Sequence, residues 1–138
     1  MKRLVLLASL CLGISSYAQE VIEIKAVDSY PVYGSCEGVS DNKERCFTYN
    51  ITQAIFKDLK YPEKAMKKGI EGVVYLSFVI EKDGSFSSVE VLKSPDKALS
   101  NEVLRVMAKL KPCSQPAYLN GQAVATRYTQ PVRFRLDD

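Results

Sequence analysis

The strongest constraint on this chain lies in residues 71–93. Glu71-Gly72-Val73-Val74-Tyr75-Leu76-Ser77-Phe78-Val79-Ile80-Glu81 runs into Lys82-Asp83-Gly84-Ser85, and a second strand-forming run extends from Phe86 to Lys93. Asp-Gly accepts the positive φ that a tight hairpin turn requires, so the two runs are expected to pair antiparallel. Val74, Leu76, Phe78 and Ile80 share one face of the first run, and Val73, Tyr75, Ser77 and Val79 share the other. That distribution predicts a strand at least partly covered on both sides.

Helical periodicity flanks this hairpin. Phe47, Ile51, Ala54, Ile55 and Leu59 recur at spacings of three and four, with Lys57, Asp58 and Lys60 outside the stripe. A second helix is expected to restart at Tyr61-Pro62, with the proline at its first helical position and Gly69 closing it. A third carries Leu99, Val103, Val106, Met107 and Leu110, capped by Ser94-Pro95-Asp96 and stopped by Pro112. Residues 20–28 alternate as a short strand, residues 29–45 read as loop, and Asn120-Gly121 signals a turn.

The last run, residues 122–136, places Val124, Thr126, Tyr128, Val132, Phe134 and Leu136 on one face. Arg127, Thr129, Pro131, Arg133 and Arg135 lie on the other. Proline cannot donate to ladders on both sides, so Pro131 predicts an edge strand or a bulge. Two readings stay open. Arginines and a proline can simply protect an exposed edge, or the edge can be kept for one incoming strand. The order helix, strand, strand, helix, strand predicts an α+β fold with helices on one face of an antiparallel sheet.

The first eighteen residues read as a secretory signal peptide. Lys2 and Arg3 precede an apolar run over residues 4–14, followed by Ser16-Tyr17-Ala18, with cleavage expected between Ala18 and Gln19. The run falls short of the roughly 20 residues that span a bilayer, so an inner-membrane anchor is the lesser reading. Lipoprotein processing at Cys11 is disfavoured by the bulky Leu10 before it. The whole chain has 19 Lys and Arg against 16 Asp and Glu. Loss of Lys2 and Arg3 brings it close to neutrality, which takes away the electrostatic footing for nucleic-acid binding.

Export leaves Cys36, Cys46 and Cys113 in an oxidising compartment. Cys36 and Cys46 bracket a polar stretch and are expected to form a disulfide contributing about 2–3 kcal/mol. Cys113 is left over, either buried or available to another molecule. The chain has no histidine, which removes the usual general base and the commonest metal ligand. No cofactor, metal or small-molecule substrate is expected. An enzyme would have to use Cys113 or the carboxylates of Glu81 and Asp83, which bracket a turn and are more simply solvated.

From about Leu59 to Leu136 the sequence resembles the C-terminal domain of TonB, the energy transducer of Gram-negative envelopes. The resemblance rests on the order and spacing of Tyr61-Pro62, Ala65, Gly69-Ile70-Glu71-Gly72, the 73–80 strand and Asp83-Gly84. It continues through Val89 and Val91, the 99–110 helix, Asn120-Gly121, and Arg127-Tyr128-Thr129 to Pro131-Val132-Arg133-Phe134. The lead-in with paired cysteines is similar to versions of the domain in Bacteroidota.

The resemblance implies two helices packed on a three-stranded antiparallel sheet over residues 59–138, preceded by an extension over residues 19–58 with a short strand, the Cys36–Cys46 loop and a helix. It implies partners too: outer-membrane TonB-dependent transporters, whose N-terminal segment adds as a strand beside Arg127, Tyr128, Thr129, Gln130, Pro131, Val132, Arg133 and Phe134. Tyr61, Pro62, Gly72, Asp83 and Gly84 would be the structural motif. A proline at Val132 is expected to abolish binding. The protein is expected to work in the periplasm, with a homodimer by strand exchange permitted. An alternative is an envelope assembly or structural protein that uses the same fold without energy transduction.

The chain departs from the family in lacking a long proline-rich spacer, with only Pro31 and Pro62 between Gln19 and Ile70. It also has Leu110 where a tryptophan is frequent. It is therefore not expected to pull by itself.

Overall fold

A computed structural model describes residues 20–137, so the signal peptide and the Ala18–Gln19 cleavage site lie outside the described residues. The elements are β1 (Val21–Glu23), a 3-10 turn (Ile24–Ala26), α1 (Lys43–Asp58), α2 (Glu63–Lys67), β2 (Gly72–Ile80), β3 (Phe86–Lys93), α3 (Lys97–Met107), β4 (Ala117–Leu119) and β5 (Gln122–Phe134).

The hairpin forms as its sequence requires. β2 and β3 pair antiparallel around Asp83-Gly84, and Gly84 adopts φ +88°. On its other side β2 pairs antiparallel with β5 in one unbroken register, from Gly72 opposite Phe134 to Ile80 opposite Thr126. The two helices and three antiparallel strands expected over residues 59–138 form as α2, α3, β2, β3 and β5, and the extension supplies its expected helix as α1, but the sheet is larger than expected. The sheet is mixed and five-stranded, in the order β1-β5-β2-β3 with β4 also on β5, and three α-helices accompany it.

The cause is a mismatch in length. β5 has 13 residues and β2 has nine, so the start of β5 overhangs its neighbour. β4 covers Gln122 to Val124, and β1, running parallel, covers Ala125 to Arg127. The strand expected over residues 20–28 shrinks to Val21–Glu23, because the chain turns away at Ile24.

Helix ends follow their caps. The Asn42 side chain accepts from the Arg45 N–H at 3.0 Å, so α1 starts four residues before its first apolar position, Phe47. Pro62 stands one residue earlier than expected, as the N-cap of α2. Behind α2, Gly69 takes φ +64° and the Ile70 N–H returns to the Ala65 carbonyl at 2.9 Å, closing the helix. Asp96 caps α3 by accepting from the Ala98 N–H at 2.9 Å.

The core lies between the helices and one face of the sheet. Phe47, Ile51 and Ile55 of α1 and Leu99, Val103 and Val106 of α3 are fully buried with Val74, Leu76, Phe78 and Ile80 of β2 and Val132 of β5. Each such side chain stabilises the fold by about 1.5–3 kcal/mol relative to exposure. Ser77 and Val79, on the opposite face of β2, are buried as well, while Tyr75 on that face is exposed.

The lead-in belongs to this same core. Cys36 and Cys46 form a disulfide with Cα atoms 5.5 Å apart, which ties the 36–46 loop to the first turn of α1. The Asn50 amide donates to the carbonyls of Tyr33 (2.7 Å) and Ser35 (2.9 Å). Bridges from Ser29 to Tyr118 and from Val32 to Gln115 lay the preceding segment along the C-terminal half of the chain. Residues 29–45 are thus ordered by a covalent bond and by distant partners, with no periodicity of their own.

Candidate functional site

A mixed sheet in this order has two outer edges, and they differ in what they offer. The β3 edge is irregular. Its pairing with β2 shifts register twice, Ser88 sits at φ +47°, and Glu90, Leu92 and Lys93 are exposed. A bulged, charged edge resists the addition of a flat strand.

On the side of β5 away from β2, β1 covers the edge only as far as Arg127. Where β1 turns off, the edge opens, and over residues 128–134 no strand among those described lies beside β5 opposite to β2. Seven residues at about 3.4 Å each make an open stretch a little over 20 Å long.

Each residue of the sequence-predicted strand now has a place. Arg127 lies opposite Glu23 of β1, with its Nε 4.0 Å from the Glu23 carboxylate, and so is already taken up by the chain's own strand. Thr129, Pro131 and Arg133 are exposed, whereas Gln130, Val132 and Phe134 are buried toward the helices and Tyr128 is half-buried.

Pro131 also fixes which way the main chain faces. It has no N–H, yet its pairing with Tyr75 lies inside an unbroken ladder. In an antiparallel pair a residue that exchanges hydrogen bonds with its opposite number needs its N–H. Pro131 must therefore turn its carbonyl away from β2, and by alternation Thr129 and Arg133 do the same. Tyr128, Gln130, Val132 and Phe134 spend theirs on β2. The outer edge therefore offers an N–H and a carbonyl at Thr129 and at Arg133, and a carbonyl alone at Pro131.

Buried polar groups brace the inner side of this stretch. The Tyr128 hydroxyl donates to Gln130 Oε1 at 3.0 Å. Gln130 Nε2 donates to Thr52 Oγ1 of α1 at 3.2 Å and to the Pro131 carbonyl at 3.0 Å. The Thr52 hydroxyl in turn donates to the Thr48 carbonyl at 2.6 Å. The Tyr128 ring stands edge-on to Phe47 and Phe78, with centroids 5.1 and 5.6 Å away, and burial pushes its phenol up to about 12. At the far end, the Tyr61 ring meets Phe134 edge-on at 5.5 Å and its hydroxyl donates to the Ile70 carbonyl. Tyr61 thereby supports the end of β5, and Pro62 starts the helix that follows.

The remaining motif residues serve the frame. A Cβ on Gly72 would come within 2.5 Å of the Pro95 ring, and one on Gly84 within 2.3 Å of the Cys113 carbonyl, so both positions require glycine. The Asp83 carboxylate accepts from the Ser85 hydroxyl (2.6 Å) and N–H (2.9 Å), which holds it below the usual carboxylate range. Glu81 accepts from the Ser87 hydroxyl. These are turn-closing bonds, unlike a general acid–base pair. Burial pushes the Cys113 thiol up to about 12, far from the thiolate that nucleophilic chemistry needs. Among the described residues no group of three or more Cys, Asp or Glu is placed to hold a metal ion.

Gln130, expected only as one residue of the partner-facing strand, is buried and braces β5 from within. It occupies an inward-facing position of β5, between Tyr128 and Val132, and a polar side chain at such a position was the available signal.

Comparisons with known proteins agree with this geometry. The family described as "Gram-negative bacterial TonB protein C-terminal" matches residues 57–136. Protein TonB of Pseudomonas aeruginosa is 35% identical over 78 residues, covering 56% of this chain and 22% of that protein. Protein TonB of Helicobacter pylori is 37% identical over 70 residues, 48% of this chain and 25% of its own. The chain thus spans about a quarter of the length of the curated relatives it matches. The solution structure of the Helicobacter pylori TonB C-terminal domain, residues 179–285, superposes with a TM-score of 0.57 at 25% identity, covering 80% of this chain and 99% of that one. A shorter form of that domain, residues 194–285, gives 0.51 at 29% identity over 67% of this chain and 96% of its own. A match over more than half its length, with a shared fold, makes the chain a member of the TonB C-terminal family, a family of non-enzymatic energy transducers.

Proposed function

We propose that this domain receives an extended segment of an outer-membrane transporter as an added strand along residues 128–134 of β5, in the periplasm, within TonB-dependent transport. One observation carries the reading: beside a bulged β3 edge and a β1 that stops at Glu23, the sheet keeps a regular stretch with outward N–H and carbonyl groups at Thr129 and Arg133. Backbone pairing supplies affinity in such additions, and alternate side chains supply selectivity. The exposed guanidinium of Arg133, followed by Arg135, favours a segment carrying carboxylates on the matching face. No helix among the described residues is long and apolar enough to cross a membrane.

The main-chain directions choose the test. Val132 turns its N–H to β2, so a proline there breaks the sheet itself and says little about the edge. Thr129→Pro removes an outward N–H alone. Thr129→Pro is expected to retain the thermal midpoint within a few degrees and to weaken binding of transporter N-terminal peptides at least tenfold by calorimetry. Unchanged affinity would refute strand addition at this edge. A stoichiometric complex without any transporter, recovered by crosslinking in intact cells, would favour an assembly role in its place.

A further inference from the structure

The open edge has a gap at its centre, and a buried side chain fills it. Pro131 brings no N–H, and its outward carbonyl already accepts from Gln130 Nε2 at 3.0 Å. Gln130 is 3% exposed, and its amide is oriented from the other end as well, because its Oε1 accepts from the Tyr128 hydroxyl while its second N–H goes to Thr52. A buried amide with every partner in place is held firmly and is costly to withdraw. Between Thr129 and Arg133 the edge therefore has its single acceptor already engaged by an internal donor before any partner arrives.

We propose that Gln130 is a register-setting residue of this edge: by satisfying the Pro131 carbonyl from within, it makes the edge a pair of separated docking points at Thr129 and Arg133 with an inert position between them. This rests on the strand-addition reading above. The ligand class follows from the chemistry. The partner is an extended peptide whose residue opposite Pro131 needs neither to donate nor to accept, so a proline or another residue without an N–H is accommodated there. At the two flanking docking points such a residue is rejected. A partner that carries one such residue is therefore held in the register that sets it opposite Pro131, since a two-residue slip would bring it to Thr129 or Arg133.

The experiment replaces partner N–H groups one at a time by an ester oxygen, which removes the donor without adding bulk. Ten-residue synthetic peptides copying transporter N-termini from the same cells are the probes, with calorimetric affinity as the readout. Among the alternate partner positions whose N–H faces β5, one ester is expected to change affinity less than twofold in the wild-type protein, flanked two residues to either side by positions that each cost about fivefold or more, as a lost hydrogen bond does. In Gln130→Met, which fills the same space without a donor, the silent position is expected to become sensitive, because the freed carbonyl now takes the partner's N–H. A merely structural Gln130 would shift all affinities together and leave the pattern unchanged.

Peptides that bind with no silent position among those facing β5 in the wild-type protein overturn the proposal and leave strand addition standing. Peptides that fail to bind at all overturn strand addition and the proposal with it. The wild-type scan decides the matter without relying on the variant's folding.

Discussion

Replacing Cys36 and Cys46 together by alanine isolates what the covalent bond contributes. The two residues are ten apart in sequence, and closing a loop of that size removes about 2.7 kcal/mol of entropy from the unfolded chain at 25 °C. Alanine is the right replacement, because Cys46 is 1% exposed against α1 and a serine hydroxyl would add a buried polar group. With an unfolding entropy of roughly 2.1 cal/mol/K for each of about 120 ordered residues, that loss lowers the midpoint by about 10 °C. The chain has no tryptophan, so urea unfolding is best followed by far-ultraviolet circular dichroism.

The wild-type protein in reductant should coincide with the double variant, since the free Cys113 is buried and takes no part. Amide exchange should accelerate first at Ser29 and Val32, whose N–H groups bond Tyr118 and Gln115 across the lead-in. A loss under about 1 kcal/mol, or a wild-type protein indifferent to reductant, would refute the view that the lead-in is held chiefly by this bond.

Other consequences can be measured on the same material. Glu102 accepts from Arg105 at 2.6 and 2.8 Å and from the Lys60 N–H at 2.7 Å, and the Arg105 bonds foremost hold its carboxyl below the usual range. Its stabilisation is present above the ordinary glutamate pKa and fades as pH falls through the lowered value. Glu102→Gln should accordingly cost about 1–2 kcal/mol at neutral pH in urea titrations and progressively less in acid. Burial pushes the Tyr128 phenol from its ordinary value near 10 up to about 12 in the folded chain. Stability should decline as pH rises through that interval, and Tyr128→Phe should flatten the alkaline limb of a midpoint-versus-pH curve. Gly84→Ala sets a methyl 2.3 Å from the Cys113 carbonyl at φ +88°, and calorimetric melting should show a loss of about 2–3 kcal/mol. Phe47→Ala empties a site between Tyr30 and Tyr128 and should cost about 3–5 kcal/mol in urea unfolding.

What the sequence made legible was whatever repeats at short range. The Asp83-Gly84 turn, the inward set Val74, Leu76, Phe78 and Ile80, and the α3 stripe from Leu99 to Met107 emerge from local spacing and stand in the structure, whereas Leu110 falls past the end of the helix. β1 and β4 are three residues each, too short for alternation to register. Val21 meets Ala125 across nearly the whole chain, a pairing chosen by the overhang of β5 that no local window contains. The open edge was legible through Pro131 and the arginines, but its extent was not, because the limit at Arg127 is set by where β1 departs. The bracing role of Gln130 was not legible, because its partner Thr52 lies 78 residues away on α1, although Tyr128 is its neighbour on the same strand face.

The parallel placement of β1 bears on how this domain would carry tension. β1 and the open stretch lie end to end on one side of β5, and β1 runs in the same direction as β5. A pull on the chain before Val21, opposed by a pull on a strand held along residues 128–134, acts along the strand axis and loads both sets of hydrogen bonds sideways. Bonds loaded in that way share the force and yield together, whereas a strand peeled from its end gives way one bond at a time. The short β1 thus lies in series with the candidate docking edge, as a grip that slides before it unzips.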